Sequence, residues 1–260
     1  MSLLELCYVT KEYPSRANIK TWFGANPKFK AVKEVNLSLN KGESLALVGE
    51  SGSGKSTVAK LIMKLETVST GQILLDGQSI YGKQMTDLAI YKRIQLVLQD
   101  SSTSLHPKMR VEEILKEPIH NYFQEQKAEL ERLVLKLLNL VGLDHSYLSR
   151  YPAQLSGGQK QRVCIAKALA VQPDLIIFDE SIASLDRESQ ASIINMLKDI
   201  QKKEQISYLF ITHDLESTKK LCDRVAVMYQ GEIIEIFSDW DLRQVKHPYT
   251  RLLVHNLVEQ

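Results

Sequence analysis

Cysteine is scarce in this sequence, with three in 260 residues. Cys7, Cys164 and Cys222 lie far apart, so they form neither a disulfide framework nor a CxxC metal site. We expect them to be reduced structural cysteines of the kind found in cytosolic proteins. Long hydrophobic runs are also lacking, because no segment approaches the ~18 consecutive apolar residues that span a bilayer. Any membrane role is therefore expected to come through a partner.

The sequence also has no large excess of charge of one sign, since 33 basic residues nearly balance 31 acidic ones and leave a net charge of +2. A chain balanced in this way does not indicate a nucleic-acid partner. Met1 to Thr10 contain no basic segment followed by a long apolar run, so we expect no signal peptide. The hydrophobic fraction of 44% is typical of a globular protein, and the length allows one large α/β domain or two small ones.

Short apolar runs alternate with helical patterns in the outer parts of the chain. The runs predict strands at Leu3–Val9, Val35–Leu39, Ser44–Val48, Ile73–Leu75, Ile94–Leu98, Leu175–Phe178, Tyr208–Thr212, Val225–Met228 and Glu232–Ile236. Helices are predicted at Ser56–Leu65 and Ser189–Gln201. Gln230 and Gly231 separate the last two strands as a hairpin turn. The segment Pro14–Lys33, which contains proline, glycine and several basic residues, is predicted to be a long loop.

The middle of the chain has a different pattern. From Val111 to Ala170 the sequence indicates helices and no strand. Leucine and valine residues recur at helical spacing between Leu130 and Val141, and Gly142 follows at a C-cap position. We predict a single domain over 1–260, in which an α/β core of 1–98 and 171–240 carries an inserted helical subdomain, 99–170, and a short C-terminal extension, 241–260.

A glycine-rich segment follows the predicted strand Ser44–Val48 and precedes a predicted helix. It matches the pattern G-x-x-x-x-G-K-[ST] with the residues Gly49, Glu50, Ser51, Gly52, Ser53, Gly54, Lys55 and Ser56. Its glycines let backbone N–H groups turn toward phosphate oxygens, and the helix N-terminus that follows favours an anion. We expect Lys55 to reach the β- and γ-phosphates of ATP, Ser56 to bind Mg²⁺ and Thr57 to contact the α-phosphate.

Two adjacent acidic residues, Asp179 and Glu180, end the apolar strand Leu175–Phe178. Ligands in open α/β sheets bind at the carboxyl ends of the strands. Taken alone, such a pair would more often cap a helix. Beside a phosphate loop, Asp179 is expected to hold Mg²⁺ through a water, and Glu180 to polarise the attacking water as a general base.

A second glycine-containing segment, Leu155-Ser156-Gly157-Gly158-Gln159, precedes a helical run and forms another surface suited to an anion. A single ATP does not need two such surfaces from one chain. This segment resembles the signature sequence of the ABC ATPase family. The resemblance implies that Ser156 to Gln159 of one subunit cap the ATP bound by the other in a head-to-tail dimer. It also implies a P-loop fold with a mainly parallel sheet and an antiparallel β subdomain.

Other family motifs follow in the same order along the chain. Gln99 resembles the Q-loop glutamine, which contacts the γ-phosphate and Mg²⁺, and Ser184-Leu185-Asp186 resembles the D-loop, which crosses the dimer interface. His213 is similar to the switch histidine that contacts the γ-phosphate, although a lone histidine is more often structural. Tyr13 resembles the aromatic residue that stacks on adenine, with Phe29 as a rival.

One motif departs from the family pattern. Ser181, Ile182 and Ala183 follow Glu180 where the family usually has proline, threonine and serine. The missing proline is expected to loosen the link between the acidic pair and the D-loop. We expect an altered rate or interface geometry and retained activity, because both acids and Asp186 are present.

Two further segments resemble the ATPase subunits of peptide and nickel importers. These are Gln99 to Arg110 and His247-Pro248-Tyr249-Thr250, and the chain is similar to the shorter of the two subunits that such importers pair. The resemblance implies two membrane permease subunits, a sister ATPase or a second copy, an indirect solute-binding protein and a place at the cytoplasmic face of the membrane. Peptide and nickel remain open as cargo. A soluble ABC-type ATPase of DNA repair or translation is the alternative, and a phosphotransferase or GTPase is weaker.

Overall fold

The continuous apolar runs of the sequence form the strands of two β-sheets. The computed structural model describes residues 1–14, 28–123, 127–183, 185–238 and 245–258. Within these ranges the strands are β1 (Ser2–Pro14), β2 (Lys28–Asn40), β3 (Ser44–Val48), β4 (Thr70–Leu75), β5 (Gln78–Ser79), β6 (Ile94–Val97), β7 (Leu175–Asp179), β8 (Ser207–Thr212), β9 (Arg224–Tyr229) and β10 (Glu232–Ser238).

The helices lie mainly between these strands. They are α1 (Lys55–Ile62), α2 (Asp87–Arg93), α3 (Ser101–Ser104), α4 (Val111–Tyr122), α5 (Lys127–Leu140), α6 (Gly157–Leu169), α7 (Arg187–Glu204), α8 (Leu215–Leu221) and α9 (Pro248–Val258). Helices α3 to α6 follow one another between β6 and β7, where the sequence predicts helices and no strand. None of the helices in the described ranges is both long enough and apolar enough to traverse a bilayer.

The larger sheet has the strand order β10-β9-β3-β8-β7-β6. Strands β9, β3, β8, β7 and β6 are parallel, and β10 pairs with β9 as an antiparallel hairpin. Gln230 and Gly231 form the predicted turn, and both have positive φ values, 49° and 89°. A two-residue hairpin turn of this kind needs positive φ at both positions, which Gly231 adopts without strain.

Both faces of the larger sheet are covered. In β7, Ile176 and Phe178 pack with helices α4 to α8 on one face, whereas Leu175 and Ile177 pack on the opposite face with α1, α2 and the smaller sheet. The side chains alternate with a period of two, so a strand buried on both faces is apolar at every position. This explains why these strands appear in the sequence as uninterrupted apolar runs.

The smaller sheet, with the order β2-β1-β4-β5, is antiparallel. It corrects the loop expected over Pro14–Lys33, because Lys28 to Lys33 belong to β2 and pair with β1. Lys28, Phe29 and Lys30 are exposed at this edge, so the strand carries no apolar alternation there. Residues 15–27 of the expected loop lie outside the described residues.

Candidate functional site

The glycine-rich segment forms the turn between β3 and α1. Gly49, Gly52 and Gly54 have φ values of 152°, 82° and 110°. At Gly54 any side chain would be blocked, because a Cβ atom would lie 2.4 Å from the carbonyl oxygen of Ala31. The left-handed backbone at Gly54 leads directly into Lys55, the first residue of α1. The backbone N–H groups of the first turn of this helix are therefore available to an anion at the end of the loop.

Lys55 is held inside this loop. Its Nζ donates to the carbonyl oxygens of Gly49 and Glu50, at 2.7 and 2.8 Å, and its side chain is 5% exposed. Burial lowers the pKa of Lys55, and the nearby carboxylates of Glu180 and Asp179 oppose that change. A buried cation beside two acids is held close to where phosphate oxygens would lie.

An open cleft of about 670 Å³ lies beside the loop. The cleft is lined by Tyr13, Phe29, Ala31, Ser51, Gly52, Gly54, Lys55, Ser56, Thr57, Leu98, Gln99, Asp100, Thr103, Asp179 and Glu180. It therefore brings together most of the residues that the sequence assigned to the nucleotide, from segments far apart in the chain. Gln99 reaches it as an exposed residue just after β6.

The acidic pair lies at the carboxyl end of β7, opposite the start of α1. The hydroxyl of Ser56 donates to Oδ1 of Asp179 at 3.4 Å, a long hydrogen bond. Burial raises the pKa of Asp179, and the charge of Glu180 raises it further, while Ser56 and Lys55 act in the opposite direction. Two hard oxygen ligands thus face one another at the place where a divalent cation would relieve the buried negative charge.

Glu180 has a strained backbone. Its φ of 50° lies in the left-handed region, which non-glycine residues seldom adopt. Its N–H donates to the carbonyl oxygen of Ile211 at 2.8 Å, so β8 holds it in place. The Glu180 side chain contacts His213, whose Nδ1 lies 3.4 Å from Oε1 of Glu180. Strain of this kind costs on the order of 1–3 kcal/mol and is concentrated at functional sites.

Tyr13 and Phe29 are direct partners in the pairing of β1 with β2, so both candidates for the adenine contact lie at one rim of the cleft. Phe29 is 58% exposed. The Tyr13 ring is half-buried, and Nζ of Lys11 lies 5.0 Å from its centroid. The ring quadrupole attracts this cation, so Lys11 helps to fix the Tyr13 ring at the rim.

The segment Ser156 to Gln159 is built as a helix N-terminus. The N–H of Gln159 donates to the Ser156 hydroxyl at 3.3 Å, and the N–H of Ser156 donates to Oε1 of Gln159 at 3.0 Å. This capping box leaves Ser156 and Gly157 exposed at the start of α6. The described residues that line the cleft include none from this segment.

Asp186 caps the neighbouring helix α7, because its carboxylate accepts from the N–H of Ser189 at 2.9 Å. Hydrogen bonds from Ser189 hold the pKa of Asp186 below its ordinary value. Helices α6 and α7 meet closely, since a Cβ atom at Gly158 would lie 2.9 Å from the Ser189 hydroxyl. Of the expected D-loop, Ser184 lies outside the described residues.

Two contacts to the phosphate loop were not predicted from the sequence. The N–H of Gly231, in the β9–β10 turn, donates to the carbonyl oxygen of Ser53 at 3.0 Å. The N–H of Glu50 donates to the hydroxyl of Tyr249 at 3.0 Å. The sequence marks Tyr249 only within the segment His247 to Thr250, and it marks Gln230-Gly231 only as a turn. No local pattern reports contacts across such separations.

The parallel sheet, with its glycine-rich loop between the central strand β3 and α1, defines a P-loop ATPase, and comparison with known proteins adds the family. A family model described as ABC transporter matches residues 32–183. The chain is 41% identical over 257 residues to a probable peptide ABC transporter ATP-binding protein of Sinorhizobium fredii, covering 97% of this chain and 72% of that protein. It is 43% identical over 232 residues to the oligopeptide transport ATP-binding protein AmiF of Streptococcus pneumoniae, covering 87% and 75%.

Solved structures give the same result. Subunit cbiO1 of Clostridium perfringens, described as part of the ABC transporter complex cbiONQ, superposes with a TM-score of 0.80 at 26% identity and covers 100% of this chain and 99% of its own. The dimeric ATP-binding cassette MJ0796, in a post-hydrolysis state bound to ADP and Pi, superposes with a TM-score of 0.74 at 27% identity, covering 90% and 98%. The chain belongs to the ABC transporter family and is an ATPase. The α/β fold and the family resemblance are thereby confirmed.

Proposed function

We propose that this chain hydrolyses ATP to drive the uptake of peptides through separate membrane subunits. One observation carries the proposal. The cleft gathers the phosphate loop, Asp179 and Glu180, whereas Ser156 to Gln159 lie outside it at the start of α6, with Ser156 and Gly157 exposed. The chain thus presents one phosphate-binding surface for its own nucleotide and a second one for a nucleotide held elsewhere.

In this proposal the cleft binds MgATP. Lys55 contacts the β- and γ-phosphates, the loop from Gly49 to Ser56 surrounds them, Thr57 contacts the α-phosphate, and Tyr13 stacks on adenine. The fit of Mg²⁺ is supported by the oxygen ligands Ser56 and Asp179, 3.4 Å apart, and by Gln99 in the same cleft. Mg²⁺ favours one or two carboxylates together with substrate phosphates, and it would neutralise charge on the phosphates.

Glu180 acts as the general base, and His213 contacts the γ-phosphate. Asp179 faces Ser56 and the expected Mg²⁺, so Glu180 is the carboxylate left to accept a proton from the attacking water. The 3.4 Å separation of His213 and Glu180 supports the idea that the two side chains act on the same substrate atoms. Because the left-handed backbone at Glu180 is held by β8, its carboxylate is positioned before the nucleotide arrives.

The complete hydrolytic unit is a head-to-tail dimer in which Ser156 to Gln159 and Asp186 contribute to the nucleotide of the partner. The dimeric state of MJ0796 supports this arrangement, since its cassette superposes on 90% of the chain. The partner is a sister ATPase or a second copy. ATP closes the dimer by supplying γ-phosphate contacts on both sides, and hydrolysis removes them.

The membrane partners are two permease subunits, with a solute-binding protein acting indirectly. The helical segment 99–170 is the part of the chain that contacts the permeases, from the cytoplasmic face of the membrane. Relatives whose names describe peptide and oligopeptide transport support this assignment and favour peptide over nickel as cargo. A soluble ABC-type ATPase is not favoured, and the small net charge gives no support to a nucleic-acid partner.

The test is co-expression of the chain with candidate permease subunits from the same organism, followed by purification from solubilised membranes and uptake assays in vesicles. ATP-dependent uptake of a labelled oligopeptide supports the proposal, and a complex with Lys55→Ala serves as the inactive control. Uptake of radioactive Ni²⁺ in place of peptide would contradict the assignment of peptides as the transported substrate. Failure of the chain to co-purify with any membrane subunit would contradict the transport role.

A further inference from the structure

The C-terminal segment contacts the phosphate loop. Tyr249 lies in the first turn of α9, and its hydroxyl accepts a hydrogen bond from the N–H of Glu50 at 3.0 Å, across 199 residues of sequence. This is a backbone donor of the loop itself. An orientation of the loop is therefore fixed by a side chain that lies outside the α/β core.

The peptide group that joins Gly49 to Glu50 is held on both of its polar atoms. Its N–H, that of Glu50, donates to Tyr249, and its carbonyl oxygen, that of Gly49, accepts from Nζ of Lys55 at 2.7 Å. Gly49 has a φ of 152°, which glycine tolerates. The hydroxyl of Tyr249 thus supplies an orientation to this part of the loop and, through the same peptide group, to an acceptor of Lys55.

The hydrogen bond lies behind the loop. Ser51, Gly52 and the residues Gly54 to Thr57 line the cleft, whereas neither Glu50 nor Tyr249 does. The Glu50 N–H therefore faces α9 and not the cleft, so Tyr249 does not compete with phosphate for this donor. It supports the loop from the side opposite the nucleotide.

Tyr249 is itself fixed. Its ring centroid lies 4.4 Å from that of Tyr229 in β9, and its own N–H donates to Nδ1 of His247 at 3.2 Å. The carboxylate of Glu235 in β10 accepts from the N–H of Lys246 at 2.6 Å, which anchors the start of the segment to the sheet. Burial raises the pKa of Tyr249, so the hydroxyl is neutral at physiological pH.

We propose that Tyr249 is a positioning residue for ATP binding: by accepting from the Glu50 N–H, its hydroxyl sets the phosphate loop in the conformation that receives the nucleotide. The inference rests on the phosphate-binding role proposed above for Gly49 to Ser56. A pre-oriented loop loses less conformational entropy when it binds, so the hydroxyl contributes to affinity and not to the chemical step.

The test is Tyr249→Phe, which removes the hydroxyl and keeps the ring against Tyr229. We expect the affinity of the full chain for ATP to fall about two- to tenfold, the range that one hydrogen bond supplies. In the assembled complex, KM for ATP should rise similarly while kcat stays within about twofold. Amide hydrogen exchange should accelerate at Glu50.

Tyr229→Phe is the matched control. It makes the same chemical change on the neighbouring ring, whose hydroxyl accepts from Nε2 of Gln230 at 3.1 Å. The proposal predicts that this variant keeps ATP affinity and exchange at Glu50 unchanged. Equal losses in both variants, following a lower melting temperature, would mean that the aromatic pair only stabilises the fold and would overturn the proposal.

Two other results contradict it. Unchanged affinity and exchange in Tyr249→Phe would show that the hydroxyl does not orient the loop, and increased affinity would show that it obstructs the nucleotide. Lys55→Ala separates these failures from failure of the site itself. If Lys55→Ala loses ATP binding and Tyr249→Phe does not, only the role of Tyr249 is wrong. If Lys55→Ala binds ATP normally, the phosphate loop assignment is wrong.

Discussion

Nδ1 of His213 lies 3.4 Å from Oε1 of Glu180, and this contact joins the residues that follow two adjacent strands, β8 and β7. The two strands are also linked by the hydrogen bond from the Glu180 N–H to Ile211. Residues 33 positions apart are therefore brought together by parallel strand pairing. A change at either side chain should act on hydrolysis more than on nucleotide binding.

Glu180→Gln should preserve ATP binding and reduce steady-state ATPase activity of the assembled complex by about a hundredfold or more, because an amide accepts no proton. Binding should persist because Lys55 and the loop are untouched. Nucleotide affinity by calorimetry and phosphate release measure the two effects. Glu129→Gln, which removes an acid paired with Arg132 on helix α5, is the control and should behave as the unmodified chain. ATPase activity near the unmodified level in Glu180→Gln would rule out the general base.

Asp179→Asn should stabilise the nucleotide-free chain at neutral pH. The folded state raises the pKa of Asp179, mainly through burial, so its ionised form is less favourable in the folded chain than in the unfolded chain. We expect a gain on the order of 1 kcal/mol, or a melting temperature about 2–4 °C higher at pH 7. The gain should shrink as pH falls through the raised pKa and vanish below the unfolded value of about 3.9, where both states are protonated.

Thermal denaturation from pH 7 to pH 3 measures this trend, and Asp199→Asn, a change on helix α7 away from the cleft, controls for general charge effects. The same Asp179→Asn variant should lose Mg²⁺-dependent ATPase activity. A constant stability difference over the whole pH range would show that burial does not penalise the Asp179 carboxylate.

Tyr13→Ala should weaken ATP affinity by about fivefold or more, since stacking of a base on an aromatic ring contributes about 1 kcal/mol or more. Lys11 lies over one face of this ring, and in the proposed site adenine stacks on the other face. Phe29→Ala removes the cross-strand partner and should have the smaller effect. Fluorescence titration with ATP measures the loss of affinity in each of the two variants. The reverse order of the two losses would assign adenine to Phe29.

Ser181→Ala should raise the stability of the chain by roughly 1 kcal/mol. The Ser181 side chain is 1% exposed, and its hydroxyl has no hydrogen-bond partner in the described part of the chain. Ser207→Ala is the opposite case, because that buried hydroxyl accepts from Gly42 at 2.9 Å and donates to Asn40 at 3.1 Å. Ser207→Ala should destabilise. Lower stability in Ser181→Ala, measured by urea denaturation, would show that its hydroxyl is paired.

The central strands were predictable because burial on both faces makes them apolar at every position, as in Leu175 to Phe178. The turn at Gln230 and Gly231 was predictable because a local backbone requirement selects its residues. The start of β2 could not be predicted from the sequence, because Lys28 to Lys30 are exposed on an edge strand and are held in it by pairing with β1. Strand identity there depends on a neighbour and not on a sequence pattern.

The candidate site divides in the same way. Residues within a local motif, such as Lys55 and Asp179, could be placed at one site from sequence because each motif is recognised from the few residues around it, and both line the cleft. The left-handed backbone of Glu180 could not be predicted from the sequence, because it is maintained by a hydrogen bond to β8. The contact of Tyr249 with Glu50 spans 199 positions, and the sequence contains no signal for it.

Helices α6 and α7 are joined where Gly158 meets Ser189, since even a Cβ atom at Gly158 would approach the Ser189 hydroxyl to 2.9 Å. Farther along, Nη2 of Arg162 donates to the Ser192 hydroxyl at 2.9 Å. The two segments that the proposed dimer presents to a neighbouring subunit, Ser156 to Gln159 and Asp186, therefore lie at the starts of helices that are in direct contact. In that dimer, a movement of one segment toward the partner's nucleotide is expected to move the other segment as well.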